Sequence, residues 1–343
     1  MKILFYSPYL NILGGGEHHL FQFASCLGQN HQVYLVWPDT QVIKLAQSRF
    51  NLDLSPLKIL PFLPPRFQLK EFDLLVFVSD GSIPFLPVSK SALFFMSPFQ
   101  HVYGRSLINQ IKLKFINQVI CNSQYTKKFI DKEFGVNSRV VYPAIQLPKN
   151  LSRLKKNLIL SVGRFSRTLH DKNQSALIKT FVKIEPELPG WKLVLVGGTE
   201  TGSAPIISRL RQEAAGRRIS IHANVSPERL RQFYAQAKLY WHATGYGYNL
   251  NHHPEKAEHF GISIVEAMSY GGVPLVFNAG GPKEIITPES GITWNNLDEL
   301  EQNTLRLIHN PKLRSDYSQA ARKQSGFFSQ DNLCQNLNSV IGP

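Results

Sequence analysis

Residues 258–268 read Glu258-His259-Phe260-Gly261-Ile262-Ser263-Ile264-Val265-Glu266-Ala267-Met268, followed by Gly271-Gly272 and the apolar run 273–277. A glycine leads into a helix, a glycine pair stops it, and a short hydrophobic stretch resumes as a strand. Loop, helix, turn and strand in that order are the repeating unit of a parallel α/β fold. Outward from this unit the same alternation covers most of the chain. Strands are predicted at 157–162, 192–196, 219–222, 239–242 and 273–277, with helices at 173–184, 206–215, 227–235 and 263–270. An earlier series has strands at 2–7, 32–37, 73–79, 92–96, 119–122 and 139–142, with helices at 17–27, 106–117 and 125–134. From Leu297 onward the chain reads as helical, with a break near Gly326. Pro143-Ala144-Ile145-Gln146-Leu147-Pro148-Lys149-Asn150 lacks periodicity and carries two prolines, the mark of a linker.

The 343 residues are too many for one core, and length alone favours two domains. The expectation is two doubly wound domains, 1–145 and 146–326, with a C-terminal helix at about 327–343 able to pack back on the first. Ligands of such folds bind at the carboxyl ends of strands, so the cleft between the domains is the default site. A composition of 43% hydrophobic and 18% charged residues excludes a disordered or collagen-like chain. No run of about 18 apolar residues could span a membrane. Three widely spaced cysteines, with no CxxC or finger spacing, argue against disulfides and structural zinc and for a reducing, cytoplasmic setting. The net charge is +14 and is shared: residues 1–150 carry 15 basic and 8 acidic side chains, the remainder 23 and 16. Such a field favours anionic partners such as nucleotides or phospholipid surfaces.

The chemistry concentrates at 258–268. The free N–H groups of a helix's first turn cradle phosphate. Glu266, one turn into that helix, can reach a ribose diol beside the phosphate, and Glu258 can reach the far end of the same ligand. Carboxylates hold hydroxyls through charge-assisted hydrogen bonds. The plainer reading has Glu266 complementing the helix dipole and Glu258 solvated; local spacing does not choose between them.

Taken with the rest of the chain, the segment resembles the E-x7-E signature of family 4 retaining glycosyltransferases of the GT-B fold. Further matching motifs follow in order: Gly14-Gly15-Gly16-Glu17, Asn122-Ser123-Gln124-Tyr125-Thr126, Tyr142-Pro143, Ser161-Val162-Gly163-Arg164-Phe165, Leu195-Val196-Gly197-Gly198, Trp241-His242-Ala243-Thr244-Gly245 and Ala279-Gly280-Gly281-Pro282-Lys283-Glu284. Each is weak alone; their joint order and spacing carry the resemblance. It implies a nucleoside-diphosphate sugar as donor, bound by the second domain, and a glycan or lipid-linked acceptor bound by the first. Glu266 then holds the ribose and Glu258 the transferred sugar. The backbone of Gly261, Ile262 and Ser263 meets the phosphates or the sugar, and Arg164 contacts the diphosphate. Lys172 stands for the partner lysine, eight residues after Arg164 where the family usually has about five, with Arg167 as the alternative cation. Gly15 and Gly16 belong to the glycine loop that lies across the cleft from the donor. His101 matches, a few residues displaced, a histidine many members carry near the reaction centre.

No metal and no cofactor are expected: no DxD or HExxH motif exists, His252 and His253 are adjacent and diverge, and Arg164 and Lys172 replace a cation. Gly280-Gly281 with Glu284 is either a frame for the donor sugar or a plain turn. The stretch 106–117 has apolar positions at 108, 111 and 115 on one face, with Arg105, Lys112, Lys114, Lys127, Lys128 and Lys132 nearby. That face either packs inward or holds the protein peripherally at an anionic membrane. No pattern for nucleic-acid binding accompanies the charge. A nucleotide-sugar epimerase of the same fold and a non-catalytic nucleotide-sugar-binding protein are the alternatives.

Overall fold

The computed structural model describes residues 1–10, 12–86, 88–148, 155–166 and 171–341. It divides into two compact units, Met1–Ala144 with Gln330–Pro343, and Ile145–Ser329. The first unit runs β1 (Lys2–Tyr6), α1 (Gly15–Gly28), β2 (Gln32–Val36), α2 (Gln41–Phe50), β3 (Lys58–Leu60), α3 (Arg66–Leu69), β4 (Leu74–Val78), β5 (Lys90–Phe95), α4 (Leu107–Leu113), β6 (Gln118–Cys121), α5 (Gln124–Phe134) and β7 (Arg139–Val140). Its sheet has the order β3-β2-β1-β4-β5-β6-β7, every pair parallel. Parallel strands are covered by helices on both faces and so read as continuous apolar runs, as Leu74-Leu75-Val76-Phe77-Val78 does.

The second unit runs β8 (Lys156–Val162), α6 (Gln174–Ile184), β9 (Lys192–Gly197), α7 (Ser203–Glu213), β10 (Ile219–Ala223), α8 (Pro227–Gln236), β11 (Ala237–His242), α9 (Ile262–Ser269), β12 (Val273–Phe277), α10 (Pro282–Ile285), β13 (Ile292–Trp294), α11 (Leu297–His309) and α12 (Pro311–Ser325). Its parallel sheet has the order β10-β9-β8-β11-β12-β13. The order reverses between β8 and β11, and that reversal opens a crevice at their carboxyl ends.

Most helices and the core strands were legible; several three- or four-residue elements and the ten-residue α2 were not. The sequence reading has no α2, β3, α3 or β13, and its strand at 139–142 shortens to two residues. Where helix ends were foreseen, capping explains them. Ser123 Oγ accepts from the Thr126 amide at 3.0 Å, and Gly135 closes α5 with φ of +69°.

The final helix, α13 (Gln330–Ile341), belongs to the first unit. It buries Leu333, Leu337, Val340 and Ile341 in one core with Leu20, Ala24 and Leu27 of α1. This corrects the reading of the cysteines. Cys26 of α1 and Cys334 of α13, 308 residues apart in sequence, form a disulfide with Cα atoms 5.3 Å apart. Their remoteness along the chain says nothing once α13 lies on α1, so cysteine spacing carries no argument for a reducing setting. Cys121 is free and buried. Thiol titration of the unreduced, denatured chain should therefore count one thiol, rising to three after dithiothreitol. Reduction should destabilise the first unit by about 2–4 kcal/mol, read as a lower melting temperature that Cys26→Ser reproduces.

Candidate active site

The second unit brings charged groups together at the β8/β11 crevice. β8 ends at Val162, and Gly163-Arg164 follow. Gly163 lies under the Lys172 stem: a Cβ there would stand 2.6 Å from Lys172 Cγ. Gly197, at the end of the neighbouring β9, is pressed as closely, since a Cβ would meet the Gly163 carbonyl oxygen at 2.1 Å. Only glycine allows these two approaches. Lys172 Nζ thereby reaches Glu258 Oε2 at 2.7 Å.

Glu258 is the hub. The same oxygen lies 2.9 Å from His242 Nε2, at the tip of β11, and 3.5 Å from Thr244 Oγ1. Burial opposes ionisation of Glu258, but the Lys172 charge and the His242 hydrogen bond outweigh it and hold the carboxyl well below its ordinary range. Burial of His242 lowers its pKa, more than the neighbouring carboxylate raises it. A neutral imidazole donating from Nε2 to the carboxylate fits both shifts. Gly280 and Gly281 brace this loop. A Cβ on Gly280 would stand 2.2 Å from the Glu258 carbonyl oxygen, and one on Gly281 would stand 2.3 Å from that of His259. The Gly281 amide donates to the Glu258 carbonyl at 2.8 Å. The glycine pair therefore supports the backbone that carries Glu258.

Gly261 starts α9 with φ of +113°, a conformation that favours glycine. Ile262 and Ser263 form the first turn, and Ser263 Oγ accepts from the Tyr240 hydroxyl at 2.8 Å. Glu266 lies one turn on, its Oε2 accepting from the Tyr234 hydroxyl at 2.7 Å. Burial pushes the Glu266 carboxyl up to about 7, against the Tyr234 hydrogen bond, which lowers it. Unlike Glu258, it has no cation within ion-pair distance among the described residues. Arg164 is 3.7 Å from Glu200, whose other carboxylate oxygen accepts from the Ser166 hydroxyl. Arg167 lies outside the described residues.

The remaining candidates belong to the first unit. Gly15 and Gly16 form the first turn of α1, not the loop before it, and the Gly14 amide donates to Glu17 at 2.8 Å. Beside Gly16 stands Met96, whose Sδ a Cβ would meet at 3.4 Å. His101 is exposed, at φ of +56°, in a turn whose 101, 102 and 104 amides all donate to the Glu133 carboxylate at 3.1 Å. Among the described residues no three His, Cys, Asp or Glu side chains converge as metal ligands. His253 instead pairs with Glu255, at 3.4 Å.

Sequence reasoning passed over His242 as a partner of Glu258, and Tyr234, Tyr240 and Glu200 altogether. His242 had a usable signal, its place at the carboxyl end of a switch-point strand. The tyrosines and Glu200 had none.

Two parallel doubly wound units, with a glycine-led helix start and two glutamates near the switch point of the second, fit the GT-B class of glycosyltransferase fold. Solved structures of that class agree. The chain is similar to Anabaena HepE in complex with UDP and glucose, with a TM-score of 0.76 and 18% identity over 99% of this chain and 98% of the other. It is likewise similar to a glycosyltransferase from Rickettsia africae, with a TM-score of 0.77, 17% identity and coverage of 99% and 98%. The chain belongs to the glycosyl transferases group 1, whose sequence profile matches residues 144–324. Among curated relatives, it is 27% identical over 292 residues to the GDP-Man:Man(3)GlcNAc(2)-PP-Dol alpha-1,2-mannosyltransferase of Dictyostelium discoideum, covering 78% of this chain and 53% of that one. The human protein of the same name is 27% identical over 66% of this chain and 45% of its own. The chain thus spans about half the length of the curated relatives it matches.

Proposed function

We propose that the chain is a retaining, metal-independent hexosyltransferase of family 4, moving mannose from GDP-mannose to a glycan or lipid-linked acceptor. The donor binds the second unit and the acceptor the first. The observation that carries this reading is the Lys172–Glu258–His242 cluster beside Glu266, in a chain of this family. GDP-mannose and a lipid-linked glycan are the donor and acceptor chemistry named for the relatives.

In the proposal Lys172 and Arg164 turn from their glutamates to the donor diphosphate. Both are fixed positive groups, and charge on the leaving phosphate grows as the sugar departs, so they stabilise the transition state more than the ground state. Lys172's departure frees the Glu258 carboxylate for sugar hydroxyls, with His242 holding its orientation. Glu266 accepts from the ribose diol. Gly15, Gly16 and His101 are proposed contributors from the first unit. The proposed place of action is peripheral, at a membrane face where a lipid-linked acceptor would lie; no described helix is long and apolar enough to cross a membrane.

The test is turnover of UDP-, GDP- and ADP-sugars in EDTA, with and without a polyprenyl-diphosphate oligosaccharide. GDP-mannose consumption with an α-linked product is the expected result. Epimerised free donor would instead identify an epimerase, and binding without turnover a sensor.

A further inference from the structure

α4 turns its apolar face outward. Leu107, Ile108, Ile111 and Phe115 lie on one side of the helix and its end, and Leu107 and Ile108 are 77% and 67% exposed. None of the residues of α4 is buried. The opposite side makes the attachment. Gln110 donates to the Phe134 carbonyl at 2.8 Å, and Leu113 and Ile116 pack on the core beneath. Lys112 Nζ donates to the Ile83 carbonyl at 2.9 Å, tying α4 to the segment that carries Phe85. The 108/111/115 stripe, which could have packed inward, is therefore held in solvent.

The patch is continuous across three elements. The Phe85 and Phe115 rings meet edge to face at 5.6 Å, and the Arg66 guanidinium sits 5.8 Å from the Phe85 ring centre. Phe67, next to Arg66 on α3, is 71% exposed. The segments that supply these residues, 62–70, 82–86 and 103–117, contain Arg66, Lys70, Arg105, Lys112 and Lys114 and no Asp or Glu. Lys127, in contrast, is taken up by Asp131, Asn137 and Ser138 and lies outside the patch.

We propose that this surface docks the first unit on an anionic phospholipid bilayer. The aromatic and aliphatic side chains enter the boundary between headgroups and acyl chains, and the basic residues lie against lipid phosphates. Charge decides the occupant: the segments that carry the large apolar side chains hold five basic residues and no acidic one, with Glu71 and Asp80 beyond their ends and Glu133 taken up by the 101, 102 and 104 amides, a balance that complements an anionic interface. The proposal does not depend on the transfer reaction.

The full chain is mixed with phosphatidylcholine vesicles, alone or containing phosphatidylglycerol, and sedimented. Binding to the anionic vesicles only, weakened by raised salt, is expected. Ile108→Asp with Ile111→Asp should weaken it about tenfold or more, and Arg66→Glu with Lys114→Glu should do likewise. These positions are exposed, so melting curves should match wild type. Wild type left in the supernatant, or variants that bind as well as wild type, would overturn the proposal. So would self-association that Ile108→Asp with Ile111→Asp abolishes, which would assign the patch to a second copy. A donor-induced thermal shift in the same preparations reports on the transferase reading separately.

Discussion

Lys172→Ala is expected to lower sugar-transfer turnover by about 10²–10³-fold, the usual cost of losing one fixed group that stabilises transition-state charge. It should also destabilise the protein. Glu258 faces Lys172 at 2.7 Å with its side chain only 18% exposed, and a glutamate stripped of its cation there keeps, among the described residues, His242 and Thr244. Removing one partner of a buried pair typically costs about 3–5 kcal/mol, and partial exposure brings the expectation here nearer to about 2. The two effects separate in the double variant. Lys172→Ala with Glu258→Gln should recover most of the stability, because no unpaired charge remains, and none of the activity. The pair also gives pH a sign. Glu258 ionises more readily folded than unfolded, so its stabilisation is present above the ordinary carboxylate range and is lost as pH falls. Thermal melts of wild type, Lys172→Ala, Glu258→Gln and the double variant across pH, beside their initial rates, check this. A Lys172→Ala variant with wild-type turnover would remove the lysine from the mechanism.

Glu266 behaves in the opposite sense. Its carboxyl is raised to about 7, so it costs stability as pH climbs from the ordinary carboxylate range to 7, and the cost is constant above that. If the ribose is held by the ionised form, donor affinity should rise through the same interval. At pH 6 about a tenth of the sites are ionised, and the apparent Kd should be about tenfold weaker than its plateau. Glu266→Gln should erase that dependence and lose donor binding, yet raise the melting temperature of the free protein at pH 8 by an amount equivalent to about 1–3 kcal/mol. Thermal shift with UDP-, GDP- and ADP-sugars in EDTA measures both at once: a ligand at 100 times its Kd stabilises by about 2.7 kcal/mol. A variant that binds donor as wild type does would show that Glu266 serves the fold alone. Such a gain in stability with loss of binding is the mark of a residue retained for function.

The parts that were legible share one property. β8, β9, β11 and α9 declare themselves by runs of Val, Leu and Ile and by glycines at their ends, because parallel strands are buried on both faces and those glycines either admit a close approach, as Gly163 and Gly197 do, or take positive φ, as Gly245 and Gly261 do. Glu258 and Glu266 stood out as a pair because their spacing straddles a helix start, but it was the order of motifs along the whole chain, not that local spacing, that gave them an expected role. Gly280 and Gly281 could be seen as a turn, but not as the brace under Glu258, because the contact joins segments some twenty residues apart.

The sequence by itself determined the alternation of elements, the two-domain α/β class and the family. Tertiary structure alone decided that Lys172 meets Glu258, that His242 completes the cluster, and that Glu200 and Tyr234 occupy Arg164 and Glu266. It also decided that Cys26 bonds to Cys334, and that the apolar side of α4 faces outward. Each of these depends on pairs remote in the chain, or on which side of an amphipathic helix finds a core. Periodicity shows that a helix has an apolar face, but only the packed neighbours, here Leu113 and Ile116 on the opposite side, decide which face is buried.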